Sequence, residues 1–238
     1  MSAPGPRFAI VHDEPEACPY LPDRLARLPL RLALDPVTPA AFDRCLEQGD
    51  RRFGPLLYRP DCPECSECEA LRVSVERFHP TRSQRRVARR NDGRVHVEIG
   101  APSCTAERVL LFERHRRERG LDQGRPEAVT QDTYRFHLVE SCVESLEFAY
   151  RIEGRLAAVS ILDVGSVSAS SVYHYFDPDF SDLSLGVYSV LRELAWCRKQ
   201  SLAWYYLGLY VADCPSLSYK SAYRPHERRI LGRWVAVE

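Results

Sequence analysis

No stretch of the 238 residues approaches the ~20 consecutive apolar residues that a bilayer span needs, so membrane anchoring is not expected and the chain reads as soluble and globular. A secretory leader is not expected either. Residues Met1 to Cys18 carry Pro4, Pro6, Asp13 and Glu14 where an apolar segment of about 7 to 15 residues would be required, which points to the cytoplasm. Net charge is absent: 33 basic and 33 acidic residues cancel, and the total says nothing about nucleic acid. Lysine is almost absent. Of the 33 basic residues only Lys199 and Lys220 are lysine, a bias that reflects base composition and makes each retained lysine a position of interest. No Gly-x-Ser-x-Gly turn occurs, and no covalent nucleophile is expected. At about 150 residues per domain the length allows one large unit or two small ones, and excludes a miniature stapled scaffold.

What is present is unevenly distributed. Between Arg72 and Arg94 eight arginines face only Glu76 and Asp92, a strongly positive stretch in a neutral chain. Within it Arg82, Arg85, Arg86, Arg89 and Arg90 fall largely on one side of a predicted helix, with Val87 opposite. Such a face is either solvated charge or a track for RNA phosphates. Some of its arginines suit a carboxylate equally well.

The nine cysteines sort by spacing. Cys45, Cys104, Cys142 and Cys197 are scattered and read as buried thiols. Cys62, Cys65 and Cys68 lie within seven residues, and Cys18 is a fourth sulfur if the N-terminal segment folds back. Four thiols suit zinc or an iron-sulfur cluster, the alternative being a reduced loop.

Elements follow from the pattern. The first 100 residues, rich in proline and turns, form a predicted N-terminal region holding the cysteine cluster and the basic stretch; residues 101–238 form a second region of long periodic elements. Thr105 caps a predicted helix that ends at Gly120, and another runs from Asp132 to about Ser145. FAYRI, RLAAVSILDV and SASSVYHYF make a three-strand antiparallel meander. A helix starts at Ser184, followed by a strand at WYYLGLYV, a short helix over 216–223 and a last strand at RRILGRWVAV. This α/β (α+β) order resembles the acyltransferase fold of the N-acetyltransferase superfamily. In that fold two parallel strands splay and the acyl donor lies in the gap. Here the gap falls beside Tyr175, Phe176 and Asp177 on one strand and Leu209 and Tyr210 on the next, with the helix N-terminus at Ser184, Leu185 and Gly186 close by. Tyr173, Tyr206, Tyr219 and Tyr223 crowd the same cleft, each as plausible in the core as in a pocket. A coenzyme A donor is disfavoured: the turn 177–186 carries Asp177, Asp179 and Asp182 and one glycine where a diphosphate needs glycine-rich backbone.

Specific segments resemble one family. They are CPYLP at 18–22, YRPDCPECSEC at 58–68, FHPTRSQRRVARRN at 78–91, YHYFDPDFSDLSLGVYSVLREL at 173–194 and YYLGLYVADCPSLSYKSAYRPHE at 205–227. In this order they resemble the bacterial aminoacyl-tRNA–protein transferases of the arginyl-transferase type, in particular the short proteobacterial leucyltransferases of acidic N-termini. The resemblance implies transfer of leucine, or less readily arginine, from charged tRNA to proteins beginning with Asp or Glu, which marks them for degradation. It places metal ligands at Cys18, Cys62, Cys65 and Cys68. Related eukaryotic enzymes carry Cys-Gly-Tyr-Cys where this chain has Cys18-Pro19-Tyr20-Leu21, so the ligand set differs. The expected partners are leucyl-tRNA and acidic N-termini, with no DNA and no membrane. No cofactor is needed for the chemistry. Lys220 is expected beside the ester carbonyl or the terminal phosphate, and Asp177 as the group that takes the proton of the attacking amine. The rival readings are a CoA-dependent N-acetyltransferase with a degenerate loop and a non-catalytic, metal-stapled RNA-binding protein.

Overall fold

The computed structural model describes residues 5–121 and 128–237. The chain opens with β1 (Phe8–His12), a two-residue pair β2 (Glu16–Ala17) and β3 (Leu25–Ala26), and β4 (Leu30–Ala33). Helix α1 (Pro39–Glu47) follows, entered through Thr38, whose hydroxyl accepts from the Ala41 amide, with Pro39 at its first position. Strands β5 (Arg51–Phe53) and β6 (Leu56–Tyr58) then complete an antiparallel sheet of order β1-β4-β6-β5. Gly54, in their turn at φ +58, is fixed by sterics: a Cβ there would lie 2.7 Å from the Phe136 carbonyl oxygen.

The second sheet has eight strands. It takes β7 (Glu69–Ser74) and β8 (Val95–Gly100), between which lies α2 (Arg82–Asn91). After α3 (Ala106–Glu118) and the single turn α4 (Gln131–Tyr134) come β9 (Ser145–Ile152), β10 (Arg155–Val164) and β11 (Ser168–Phe176), the expected meander. Helix α5 (Leu185–Lys199), β12 (Trp204–Tyr210), α6 (Pro215–Ser218), a 3-10 turn at Tyr219–Ala222, β13 (His226–Ile230) and β14 (Arg233–Val237) finish the chain. The order is β14-β13-β7-β12-β11-β10-β9-β8, with every pair antiparallel except β11 and β12. Side-chain alternation along β10 splits the core in two. Ala158 and Leu162 join Tyr150, Leu194 and Tyr205 under α5, while Val159 and Ile161 join Phe112, Tyr134 and Tyr175 under α3 and α4. A third cluster, Phe42, Leu46, Leu57 and Tyr206, seats α1 and the small sheet.

Three expectations change. The division at residue 100 falls inside the large sheet, because β7 sits between β12 and β13 and β8 pairs with β9. The helix from Asp132 to Ser145 stops at Val139 after a wide π turn: the Glu140 carbonyl is taken by the buried Arg52 guanidinium at 3.0 Å instead of by a following helical amide. The last strand is a hairpin, since Leu231 and Gly232 both have positive φ, the requirement of a tight two-residue turn. The helix capped by Thr105 and the helix beginning at Ser184 are where the pattern puts them.

Candidate active site

Strands β11 and β12 pair over only three positions, Ser168 with Trp204, Ala169 with Tyr205 and Ser170 with Tyr206. Beyond them β11 stays on β10 and β12 stays on β7, so the two parallel strands part. A bulge accompanies the parting on each side. One falls at Ile161/Leu162 opposite β11 and one at Tyr206/Gly208 in β12, and bulges bend the strands they interrupt. Gly208 has φ +98, a conformation closed to most side chains.

Two cations meet at this fork. Arg51 reaches in from β5 and donates to Ser170 Oγ at 2.6 Å and to the Ser171 carbonyl at 2.5 Å. Lys220, on the 3-10 turn after α6, donates to the Leu209 carbonyl at 2.7 Å. A Cβ on Gly208 would sit 3.2 Å from Arg51 Nη2 and 3.2 Å from Lys220 Nζ, so the two groups flank one point. Each residue is only 8% exposed. Burial, and next the charge of Arg51, bring the Lys220 ammonium down to about 7.

On the α5 side of the fork lies Glu193, 1% exposed, accepting a hydrogen bond from the Tyr205 hydroxyl at 2.6 Å. Burial pushes its carboxyl up to about 7 against the hydrogen bonds of Ser160, Tyr205 and Ser171, and no ion pair neutralises it among the described residues. Higher along β11, His174 stacks on Phe176 and its ring lies beside Gly186 at the start of α5. Neither of its ring nitrogens has a hydrogen-bond partner among the described residues, and burial lowers the imidazole to about 3. The sequence reading named none of Arg51, Glu193 and His174. A glutamate inside an apolar helix and an arginine within a strand were the available signals, since charge at a core position needs a reason.

The expected site residues divide. Lys220, Phe176, Gly186 and Tyr210 lie around the parted strands, and Arg228 stacks over the Tyr210 ring at 4.8 Å. Ser184 is exposed, in a left-handed conformation at the start of α5, and Tyr219 is half exposed. Leu185, Tyr175 and Tyr223 are core. Tyr175 is fully buried with its hydroxyl 2.7 Å from that of Tyr134, and Tyr223 is packed beside Phe78. Tyr173 packs on Phe112, and Tyr206 on Trp234 in the third cluster.

Asp177 does not present the free carboxylate expected of a proton acceptor. Its carboxylate is buried and held by Arg155 and, at 2.8 Å, by Arg114, and it also caps the Asp179 amide at 3.0 Å. The same two arginines bind Asp179, which they hold well below the usual carboxylate range. Like-charge repulsion of a diphosphate by Asp177 and Asp179 is therefore cancelled; the lack of a glycine-rich cradle stands as the argument against coenzyme A.

Helix α2 presents Arg82, Arg85, Arg86, Arg89 and Arg90 to solvent while Gln84, Val87 and Asn91 face inward. Thr81 and Gln84 form a reciprocal capping box, and Gln84 and Asn91 anchor the helix to the Ala222 and Leu183 carbonyls. Arg85 and Arg90 donate to the Pro80 and Asp182 carbonyls. Cys18, Cys62, Cys65 and Cys68 line one cavity of about 240 Å³. Burial, then the neighbouring thiols, push Cys68 up to about 12. The Arg24 guanidinium donates to Cys65 Sγ at 3.3 Å and the Arg27 amide to Cys62 Sγ at 3.4 Å. The four cysteines share this cavity, but no three metal-binding side chains among the described residues converge on one point. No helix among them is long and apolar enough to cross a membrane.

Known proteins resemble the chain throughout. Residues 16–86 match the N-terminal and residues 107–230 the C-terminal model of arginine-tRNA-protein transferase. The aspartate/glutamate leucyltransferase of Pseudomonas paraeruginosa is 36% identical over 234 residues, 97% of each chain. That of Aeromonas hydrophila is 34% identical over 222 residues, covering 93% of this chain and 92% of its own. Among solved structures, the C-terminal domain of a lysylphosphatidylglycerol synthetase from Agrobacterium fabrum aligns at TM-score 0.48 with 14% identity, over 73% of this chain and 53% of its own. Both family segments contribute strands to the one sheet that carries the fork, and relatives match end to end: the chain belongs to the arginine-tRNA–protein transferase family.

Proposed function

We propose that the protein is a leucyltransferase that moves leucine from charged tRNA to the N-terminal amine of proteins beginning with Asp or Glu, marking them for degradation. The observation that carries this reading is the 36% identity to a curated aspartate/glutamate leucyltransferase along 97% of both chains. The fork supplies the chemistry. In the transfer an amide forms between the acceptor nitrogen and the leucyl carbonyl, the ester bond to the ribose oxygen breaks, and a proton leaves the amine and ends on that oxygen. The aminoacyl ester is already activated, so positioning and charge suffice.

The ester lies between the parted ends of β11 and β12 in an N-acetyltransferase-like arrangement. His174, with two unsatisfied nitrogens, Phe176 and the start of α5 receive the terminal adenosine, and α2 tracks the phosphates behind it. Glu193 takes the place expected of Asp177: it is a buried carboxyl with no ion pair among the described residues, and the Tyr205 and Ser171 hydroxyls connect it to the strands of the fork. Arg51 and Lys220 give the fork its positive charge. The cysteine cavity serves structure; its thiols are soft donors of the kind that hold zinc or an iron-sulfur cluster, although no three of them converge on one point among the described residues, and Arg24 and the Arg27 amide bond to two of the sulfurs. Dependence on charged tRNA puts the work in the cytoplasm.

The test is direct. The protein is incubated with an Asp-initiated peptide and, in separate arms, tRNA charged with labelled leucine, tRNA charged with labelled arginine, and labelled acetyl-CoA. Label arriving from leucyl-tRNA is the expected result. Label from acetyl-CoA, or tRNA binding without label transfer, refutes the reading.

A further inference from the structure

Adjacent residues of β5 make a controlled comparison. Arg52 is buried and paired with an anion: its Nε meets Asp163 at 2.7 Å, both side chains are 0% exposed, and its Nη1 takes both the Gly54 and the Glu140 carbonyls, while Nη2 has no partner among the described residues. Arg51 is equally buried, yet its partners are a hydroxyl and a carbonyl, and no carboxylate among the described residues faces it. Lys220 adds a second buried cation beside it, held by another carbonyl. Among the described residues the titratable groups set against the pair include the Cys214 thiol, which faces Lys220, and the Tyr20 hydroxyl, which faces Arg51. Neither is a carboxylate. Two adjacent buried charges with no counter-ion are costly, and the cost is relieved when an anion arrives.

We infer that Arg51 and Lys220 bind the side-chain carboxylate of the acceptor's N-terminal Asp or Glu, and so set the acidic specificity of the transfer. The inference rests on the leucyltransferase reading. A carboxylate fits better than a tRNA phosphate for three reasons. The pair is nine-tenths buried, whereas the guanidinium groups that suit an RNA backbone lie exposed on α2. Arg51 has already committed two N–H groups to β11, leaving donors for one small planar anion. The position is at the parting of the strands, where a carboxylate one or two carbons from the α-carbon holds its own α-amine beside the ester.

The experiment measures kcat/KM for peptides identical but for a first residue of Asp, Asn, Glu or Gln, with wild type, Arg51→Gln and Lys220→Met, together with KM for leucyl-tRNA. The expected result is a collapse of the Asp/Asn and Glu/Gln ratios by roughly 30-fold or more in each variant, with the tRNA KM changing far less. Ratios that stay at the wild-type value overturn the inference. So does a rise in tRNA KM with equal losses on all four peptides, which assigns the pair to a phosphate.

A second arm needs no variant. Raising pH through 7 removes the Lys220 proton, so the Asp-peptide KM of the wild type rises above pH 7 while the Asn-peptide KM keeps the baseline set by the shared α-amine and Glu193. Parallel profiles overturn the inference even if the variants do not fold. If no peptide accepts leucine at all, the function is wrong; if all accept it without dependence on Arg51 and Lys220, only the pocket is.

Discussion

Removing Arg86 and Arg89 together separates the phosphate-binding role of α2 from its role in the fold. Both side chains are exposed and neither makes a hydrogen bond or ion pair with another described residue, unlike Arg85 and Arg90, which hold the Pro80 and Asp182 carbonyls. The helix is kept by its capping box and by Gln84, Val87 and Asn91, none of which the change touches. Arg86→Ala with Arg89→Ala is therefore expected to leave the melting temperature within a degree or two, as about 0.5 kcal/mol or less is usual for such surface changes. The electrostatic effect is larger. Each neutralised phosphate contributes roughly 0.7 to 0.9 to the slope of log affinity against log salt. Five arginines on one face give a slope of about −4, and loss of two reduces its magnitude by about 1.5. The assay is the dissociation constant for leucyl-tRNA at three potassium chloride concentrations between 50 and 200 mM, with the Asp-peptide KM as control. An unchanged slope, with the fold intact, would show that these arginines face solvent and nothing else.

Glu193→Gln is expected to trade activity for stability. The wild-type carboxyl rises from 4.5 to about 7 on folding, so the favourable contribution, roughly 3 kcal/mol, is complete below pH 4.5 and lost as pH climbs through 7. Urea melts at pH 5 and pH 8 are expected to give a stability gap between variant and wild type that opens at the higher pH, and a pH-independent gap contradicts the burial argument. Asp163→Asn leaves the Arg52 guanidinium buried without its anion, at a cost of about 3 to 5 kcal/mol; a variant that unfolds at the wild-type urea midpoint rules the pair out as the tie between the two sheets. Protein purified without oxygen is expected to carry zinc or iron, and Cys65→Ser to lose it along with several degrees of thermal stability; metal-free wild-type protein that melts like the variant reduces the four cysteines to plain thiols.

Much of the large sheet was legible because its signals are local. The meander at 148–176 alternates with a glycine at its first turn, and α3 and α5 begin where Thr105 and Ser184 stand. What escaped the sequence depends on distant partners. Nothing near Cys142 announces that the Glu140 carbonyl will be claimed by Arg52, 88 residues earlier, and ended there the helical pattern breaks. That the division at residue 100 runs through one sheet was hidden for the same reason: β7 and β8 look like ends of a proline-rich region until their neighbours in the sheet are known. In the site, Lys220 stood out because lysine is scarce. Asp177 also stood out, at the end of a strand beside a turn, but sequence could not reveal that Arg114 and Arg155 occupy its oxygens.

Arg51 and Arg52 also tie the small N-terminal sheet to the large one at the proposed site. Consecutive strand residues point to opposite sides, and on a free-standing sheet at least one of the two would meet water. Here both enter the large sheet, Arg52 at Asp163 on β10 and Arg51 at Ser170 and Ser171 on β11. The paired arginine fixes β5 in place, and β5 then holds its neighbour, unpaired, at the fork. Since Lys220 arrives from the opposite end of the chain on a turn that α2 also clamps, through Gln84 and the Ala222 carbonyl, the anion site closes only when both ends of the sequence are docked. Loosening Arg52 by Asp163→Asn is thus expected to raise the Asp-peptide KM more than the leucyl-tRNA KM at temperatures where the fold survives. Equal effects on both substrates would mean that Arg51 keeps its position without Arg52, and that the charge at the fork does not depend on the small sheet.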